Sequence, residues 1–196
     1  MVFFANDDRA VSLSEAEALL GEIERLRAKV ATLEANIGEL GELAYRDPLV
    51  GLANRRSFLD NLERLIARVE RYDGPAAVMF VDVDGLKQIN DTFGHGAGDA
   101  ALVQIARSLE ATARKSDCVA RVGGDEFAVL LERADELSAW QMGLRVVEKV
   151  VAQQFCVNGR WLRLSVAVGV GAIRPGDTPE TVIARADKAM YRVKAA

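Results

Sequence analysis

Residues 118–131, CVARVGGDEFAVLL, hold two short apolar runs, Cys118 to Val122 and Phe127 to Leu131, on either side of Gly123-Gly124-Asp125-Glu126. Each run has strand length, and the Gly-Gly-Asp link reads as a hairpin turn with glycines where positive φ is expected. A hairpin makes its strands antiparallel. Upstream, Ala76 to Val83 (AAVMFVDV) is an unbroken apolar run, the pattern of a central strand covered on both faces. Downstream, Phe155 to Val157 and Trp161 to Ala172 flank Asn158-Gly159, a second hairpin signal. Helical patterns separate these strands. One runs from an Asn54 N-cap to about Tyr72 with Phe58, Leu62, Leu65, Ile66 and Val69 on its apolar face. A long one passes through Leu102, Ile105 and Leu109 to about Ala113, a third covers about Asp135 to Gln153, and a last starts near Thr178 with Val182, Ile183, Ala186 and Met190. Strands in hairpins mixed with helices predict an α+β fold, a largely antiparallel sheet with helices packed on it.

The first forty-odd residues differ in kind. Ala16, Leu19, Ile23, Leu26, Val30, Leu33, Ile37, Leu40 and Ala44 recur at alternating spacings of three and four. That is a heptad seam, with β-branched residues at a and leucine at d, the pattern of a parallel two-stranded coil. Glu22 would face Arg27 of a second copy, and Lys29 would face Glu34. The competing pattern, an amphipathic helix lying on its own domain, needs only a broader apolar stripe. Asp47-Pro48 ends the helix, because the residue before proline is pushed out of the helical region. The expected layout is a lead segment 1–15, a coiled-coil helix 16–44 that makes a homodimer, and a domain 45–196.

Composition narrows the function. The 196 residues carry a formal charge of −4, half are hydrophobic and 28% are charged, which is ordinary for a globular chain. No apolar run reaches the ~18–20 residues of a membrane span, and Val2-Phe3-Phe4-Ala5 is too short for a signal-peptide core. Two cysteines make no disulfide framework, so a cytoplasmic location is expected. Mild acidity argues against a nucleic-acid partner, since that affinity comes from Lys and Arg on phosphates. It leaves open a nucleotide whose phosphates ride on metal ions.

Two acidic clusters fall at strand ends: Asp82 and Asp84 after the first buried strand, Asp125 and Glu126 in the hairpin. Neighbouring strands would bring these carboxylates to one sheet edge, where hard oxygen ligands suit Mg²⁺ completed by water and phosphate. Each cluster alone also fits an ordinary turn, where Asp is common.

The strings themselves are informative. Residues 121–127, RVGGDEF, contain a literal GGDEF; 47–56, DPLVGLANRR, resemble D-x-L-T-G-L-x-N-R-R; 82–99, DVDGLKQINDTFGHGAGD, resemble D-x-D-x-F-K-x-I-N-D-x-x-G-H-x-x-G-D; and 186–194, ADKAMYRVK, resemble A-D-x-A-L-Y-x-A-K. In chain order, 47–56, 82–99, 121–127 and 186–194, these motifs resemble the GGDEF-domain diguanylate cyclases, which condense two GTP into cyclic di-GMP. Val50 and Leu86 stand where the family has Thr and Phe. The resemblance implies a ferredoxin-like palm. It implies that Asp82 and Asp125, with the backbone carbonyl of Val83, bind two Mg²⁺ ions (Mn²⁺ being an alternative), and that Glu126 completes the metal site or helps take the 3′-hydroxyl proton. Backbone N–H groups after Asp82, with Lys87 and Lys194, would meet the phosphates. Asn90 and Asp99 match the guanine-binding positions, and a carboxylate at Asp99 can accept from guanine N1–H and N2–H₂ together. His95, the single histidine, reads as a packing or hydrogen-bonding residue at a helix start. Trp140 and Trp161 read as core or hairpin aromatics.

Arg114-Lys115-Ser116-Asp117 resembles the family's inhibitory R-x-x-D, with five residues between it and Gly123. It implies an allosteric site for the cyclic di-GMP product, to which Arg145 on the following helix would add a further arginine. The family's closing segment continues to G-R-N, whose Arg can help hold phosphates, whereas this chain stops at Ala196. The resemblance therefore says less about triphosphate binding than about metal. Two readings of function follow: a diguanylate cyclase working as a dimer of facing half-sites, or an inactive GGDEF module that binds GTP or cyclic di-GMP and signals through its coil.

Overall fold

The structure, a computed structural model, describes residues 13–194; of these, the side chains of 13–16, 35–40, 42 and 43 are outside the described set. The lead segment as far as residue 12, the seam positions Ala16, Ile37 and Leu40, and Ala195-Ala196 are therefore not described. The chain divides between Glu42 and Leu43 into two units.

The first unit is carried by one helix, α1 (Leu13–Tyr45). Its seam residues Leu19, Ile23, Leu26, Val30 and Leu33 are all 43–57% exposed, an apolar line without cover in the single chain. Glu22 takes both hydrogen bonds of the Arg25 fork at 2.8 Å within the helix, so a bridge from Glu22 to Arg27 of a second copy would have to displace it.

The second unit runs β1 (Ala53–Asn54), α2 (Arg55–Tyr72), β2 (Ala76–Val83), α3 (Leu86–Phe93), α4 (His95–Glu110), β3 (Cys118–Arg121), β4 (Glu126–Glu132), α5 (Glu136–Ala152), β5 (Phe155–Val157), β6 (Arg160–Leu162), β7 (Val166–Ile173) and α6 (Pro179–Lys194). The main sheet has the order β1-β3-β4-β2-β7. β3–β4, β4–β2 and β2–β7 are antiparallel and only the short β1–β3 pair is parallel. β2 thus lies between two partners, as its unbroken apolar run predicts.

Alternation along β2 splits the core in two. Ala77, Met79 and Val81 join Ile105 and Leu109 of α4 and Val146 of α5, while Ala76, Val78 and Phe80 join Phe58 and Leu62 of α2 and Val182 of α6. A Cβ on Gly169 of β7 would lie 2.4 Å from the Ala186 carbonyl, so only glycine lets α6 rest on the sheet. That contact carries the end of α6 toward the ends of the strands. Asn54 caps α2 by accepting from Ser57 N–H at 3.0 Å, and Asp135 caps α5 through Ser138 N–H at 2.8 Å.

Three expectations are corrected. The long helix before Ala113 is two helices broken at Gly94, whose φ of 84° lies outside the helical region. The apolar run from Trp161 to Ala172 also divides: β6 pairs with β5 in a separate two-stranded ribbon, and after Arg163-Leu164-Ser165 the chain enters the main sheet as β7. Finally, Gly123 and Gly124 are absent from the positive-φ glycines of this chain. Gly123 is needed for a different reason, set out below.

Candidate functional site

The register of β2 on β4 places Asp82 opposite Glu126. One residue on, the Val83 N–H donates to the Asp125 carbonyl at 3.0 Å, tying the hairpin turn to the end of β2. The two acidic clusters thus lie at one end of the sheet, as adjacent strands require. Glu126 folds back over the turn: a Cβ on Gly123 would sit 2.5 Å from its Oε2. The first glycine of the signature is therefore space for a carboxylate. Partial burial raises the Glu126 pKa, and the negative charges of Asp125, Asp82 and Asp187 raise it further against an opposing pull from Arg55.

A clamp holds the turn from the other side. The Asp47 carboxylate accepts from the N–H groups of Leu49 and Val50 at 3.0 Å, which closes the loop after α1. It also meets the Arg121 guanidinium at 3.3 Å, while the same guanidinium donates to the Gly124 carbonyl at 2.7 Å. The first and third motifs are thereby one structure, and the side chains of Arg121 and Asp47 are largely buried.

The other expected site residues fall as follows. Lys87 is exposed on α3. Asn90, near the end of α3, is half-buried, and its Oδ1 has no hydrogen-bond partner. Gly98 of α4 makes room for it, since a Cβ there would lie 2.0 Å from that oxygen. Asp99, the next residue, is exposed. His95 opens α4 and is exposed. Lys194 reaches the acidic cluster from α6, its Nζ 2.5 Å from Asp82 Oδ1. Trp140 packs half-buried against the core, whereas Trp161 on β6 is exposed.

Arg114 and Asp117 lie on the link between α4 and β3, which enters β3 at the end opposite the Asp125 turn, and Arg145 lies on α5. Asp117 accepts from the Arg114 N–H at 2.8 Å and its own N–H donates to the Arg114 carbonyl at 3.0 Å, a closed turn that leaves the Arg114 and Arg145 side chains exposed.

The site fits a divalent cation by its charge. Burial and then its acidic neighbours raise the Glu126 pKa, and Asp82 already draws an ammonium group. Among the described residues no three His, Cys, Asp or Glu side chains form a ready metal cage. Asp82, Asp125 and the Val83 carbonyl would supply part of a coordination shell, and water and phosphate the rest, which is how Mg²⁺ is commonly held.

Some participants escaped the sequence reading. Asp187, whose carboxyl burial pushes up, lies in the quoted A-D-x-A string and acts on Glu126, as does Arg55 of the N-R-R string. Asp47 and Arg121 stand in separate motifs, and neither string says that they pair.

Residues 44–196 match the family profile described as "Diguanylate cyclase, GGDEF domain". The diguanylate cyclase DgcP of Pseudomonas aeruginosa is 34% identical over 92% of this chain, which covers 27% of that protein. The response regulator PleD of Caulobacter vibrioides is 37% identical over 83% of this chain and 37% of its own length. Among solved structures, the coiled coil and GGDEF domain of DgcB from Caulobacter crescentus, in complex with cyclic di-GMP, superposes with a TM-score of 0.86 at 26% identity, over 91% of this chain and 95% of that one. The chain thus spans roughly a quarter to two-fifths of the length of these curated relatives.

Proposed function

The chain belongs to the family of GGDEF-domain diguanylate cyclases, and from that premise we propose that it condenses two GTP into cyclic di-GMP with release of two pyrophosphates. The observation that carries the proposal is the pairing of Asp82 with Glu126 beside the Val83–Asp125 backbone bond, which gathers three carboxylates at one strand end. Asp82, Asp125 and the Val83 carbonyl would hold divalent cations, Mg²⁺ or Mn²⁺. Bound there, the ions would offset triphosphate charge and stabilise the attacking and leaving oxygens of the displacement.

The chain's own residues do the rest. Asn90 Oδ1, buried without a partner, accepts from the guanine edge, and Asp99 takes the N1–H and N2–H₂ donors that adenine does not present as a pair. Lys87 supplies positive charge, and Lys194 moves between Asp82 and phosphate. Glu126, whose pKa burial and the neighbouring acids raise, accepts the 3′-hydroxyl proton, and the upward shift makes it a better base. The 3′-oxygen forms a bond to the α-phosphorus of the other GTP, and the bond to pyrophosphate breaks.

Each domain holds one GTP, so two must face each other. The helix at 16–44 brings copies together through the exposed line of Leu19, Ile23, Leu26, Val30 and Leu33, as a parallel coil joined to a catalytic domain at 45–196. Product binds at Arg114 and Asp117, with Arg145, and inhibits by fixing domain orientation. The test is purified protein with GTP and Mg²⁺, the products resolved by chromatography. A cyclic dinucleotide and pyrophosphate are expected; GTP bound and returned unchanged would favour a signalling module without turnover.

A further inference from the structure

The β2–β7 ladder does not stop with its strands. Past the Val83–Val166 pair, the Asp84 N–H donates to the Ser165 carbonyl at 3.0 Å, and the Ser165 hydroxyl donates back to Asp84 Oδ2 at 2.8 Å. This reciprocal clasp fixes one peptide unit, that between Val83 and Asp84. No cis peptide bond occurs among the described residues, and in a trans unit the N–H and the C=O point in opposite directions. With the Asp84 N–H held toward β7, the Val83 carbonyl is aimed the other way, toward β4 and the Asp125 turn. The Val83 N–H bond to the Asp125 carbonyl agrees, because within a strand the two polar groups of one residue share a side. Immediately beyond, Gly85 has a φ of 68° and starts α3 without a side-chain cap, so the loop has few other restraints.

We infer that Ser165 and Asp84 are positioning residues of the reaction: their clasp aims the Val83 carbonyl into the carboxylate site. The inference rests on the proposed site and adds two residues that bind neither ion nor nucleotide. Asp84 acts as a hydrogen-bond acceptor, so its charge is dispensable while its oxygen is not. Both residues are exposed and line a cleft of about 500 Å³ together with Gly85, Gln88 and Arg163. Removing the hydroxyl therefore leaves a wet gap and little strain.

The experiment measures Mn²⁺ affinity by electron paramagnetic resonance on protein saturated with 3′-deoxy-GTP, which lacks the attacking hydroxyl, for wild type, Ser165→Ala, Ser165→Thr, Asp84→Asn and Asp82→Asn. Melting temperature is read on each, and GTP turnover in parallel. Ser165→Ala is expected to weaken Mn²⁺ about tenfold, the lower end for loss of a supporting hydrogen bond, with the melting temperature held. Ser165→Thr, which keeps a hydroxyl, should restore the affinity. Asp84→Asn keeps an acceptor oxygen and should stay within about threefold, the change expected of one screened charge. Wild-type affinity in Ser165→Ala overturns the clasp while leaving the site intact. A loss in Asp84→Asn as deep as that in Asp82→Asn overturns it too, by making Asp84 a ligand. If Asp82→Asn itself changes nothing, the proposed metal site fails, and the clasp with it.

Discussion

Gly98→Ala separates fold from function sharply. Gly98 lies in α4, buried, and a Cβ there would stand 2.0 Å from Asn90 Oδ1, 2.8 Å from Cγ and 3.2 Å from Nδ2. No real Cβ approaches so closely, and the atoms in the way belong to a side chain, so Asn90 must swing out of its position. An off-rotamer side chain costs about 0.5–1.5 kcal/mol, while replacing a helical glycine by alanine returns about 0.5–1 kcal/mol. These nearly cancel, so the melting temperature should move by no more than about 4 °C. Binding has no such offset. A hydrogen bond to a buried partner contributes about 0.5–1.5 kcal/mol, and the upper part of that range is a tenfold change. The expected result is a KM for GTP raised about tenfold, with kcat changed much less, because the guanine contact is made equally in the ground and transition states. Initial rates across GTP concentrations, with a thermal melt on the same sample, measure both. An unchanged KM in a folded variant would refute Asn90 as the guanine contact. A melting temperature lowered by more than 10 °C would refute the claim that only the side chain yields.

The remaining expectations concern other parts of the chain. Asp82→Asn and Asp125→Asn should each remove turnover with the fold intact, since neutral amides are poor Mg²⁺ ligands; normal cyclic di-GMP production by either would end that assignment. Leu26→Gln with Leu33→Gln should give monomers by analytical ultracentrifugation, with specific activity that rises with protein concentration; a variant that stays dimeric removes the coil as the cause of pairing. Cyclic di-GMP should inhibit wild type more strongly than Arg114→Ala in initial-rate titrations, and equal sensitivity would dismiss the product site. Arg185 grips Asp177 with bonds of 2.7 and 2.8 Å and draws its pKa down to about 2 from 3.8. A depressed acid stabilises the fold above its unfolded pKa and loses that contribution as pH falls through the folded one. Arg185→Gln should therefore cost about 1 kcal/mol at pH 7, after solvent screening, and a penalty that shrinks between about pH 4 and pH 2 in chemical melts; a pH-independent penalty would contradict the pairing.

Much of the domain was legible because strands and helices write their burial into local periodicity. Ala76 to Val83 had to be covered on both faces, and β2 is. Asn54 had to cap a helix, and its Oδ1 accepts from Ser57. The motif strings identified the family, since four short patterns in order carry far more information than any one of them.

What the strings could not contain was distance between remote residues. Arg121 and Asp47 are 74 positions apart, and nothing local to either says that one guanidinium joins the first loop to the hairpin turn. The glycine of the signature illustrates the same gap. Read locally it meant a turn with positive φ, but in space it is the floor beneath the Glu126 carboxylate. The string around Lys194 does not say that its ammonium meets Asp82; the close seat of α6 on Gly169 helps deliver it there. Ser165 had no signal at all: its role arises only because β6 and β7 belong to different sheets and the residue between them meets the end of β2. Hydrophobic burial and backbone geometry act over a few residues and are written there. Ion pairs, desolvation and close approach depend on which surfaces packing brings together, and only the folded chain decides that.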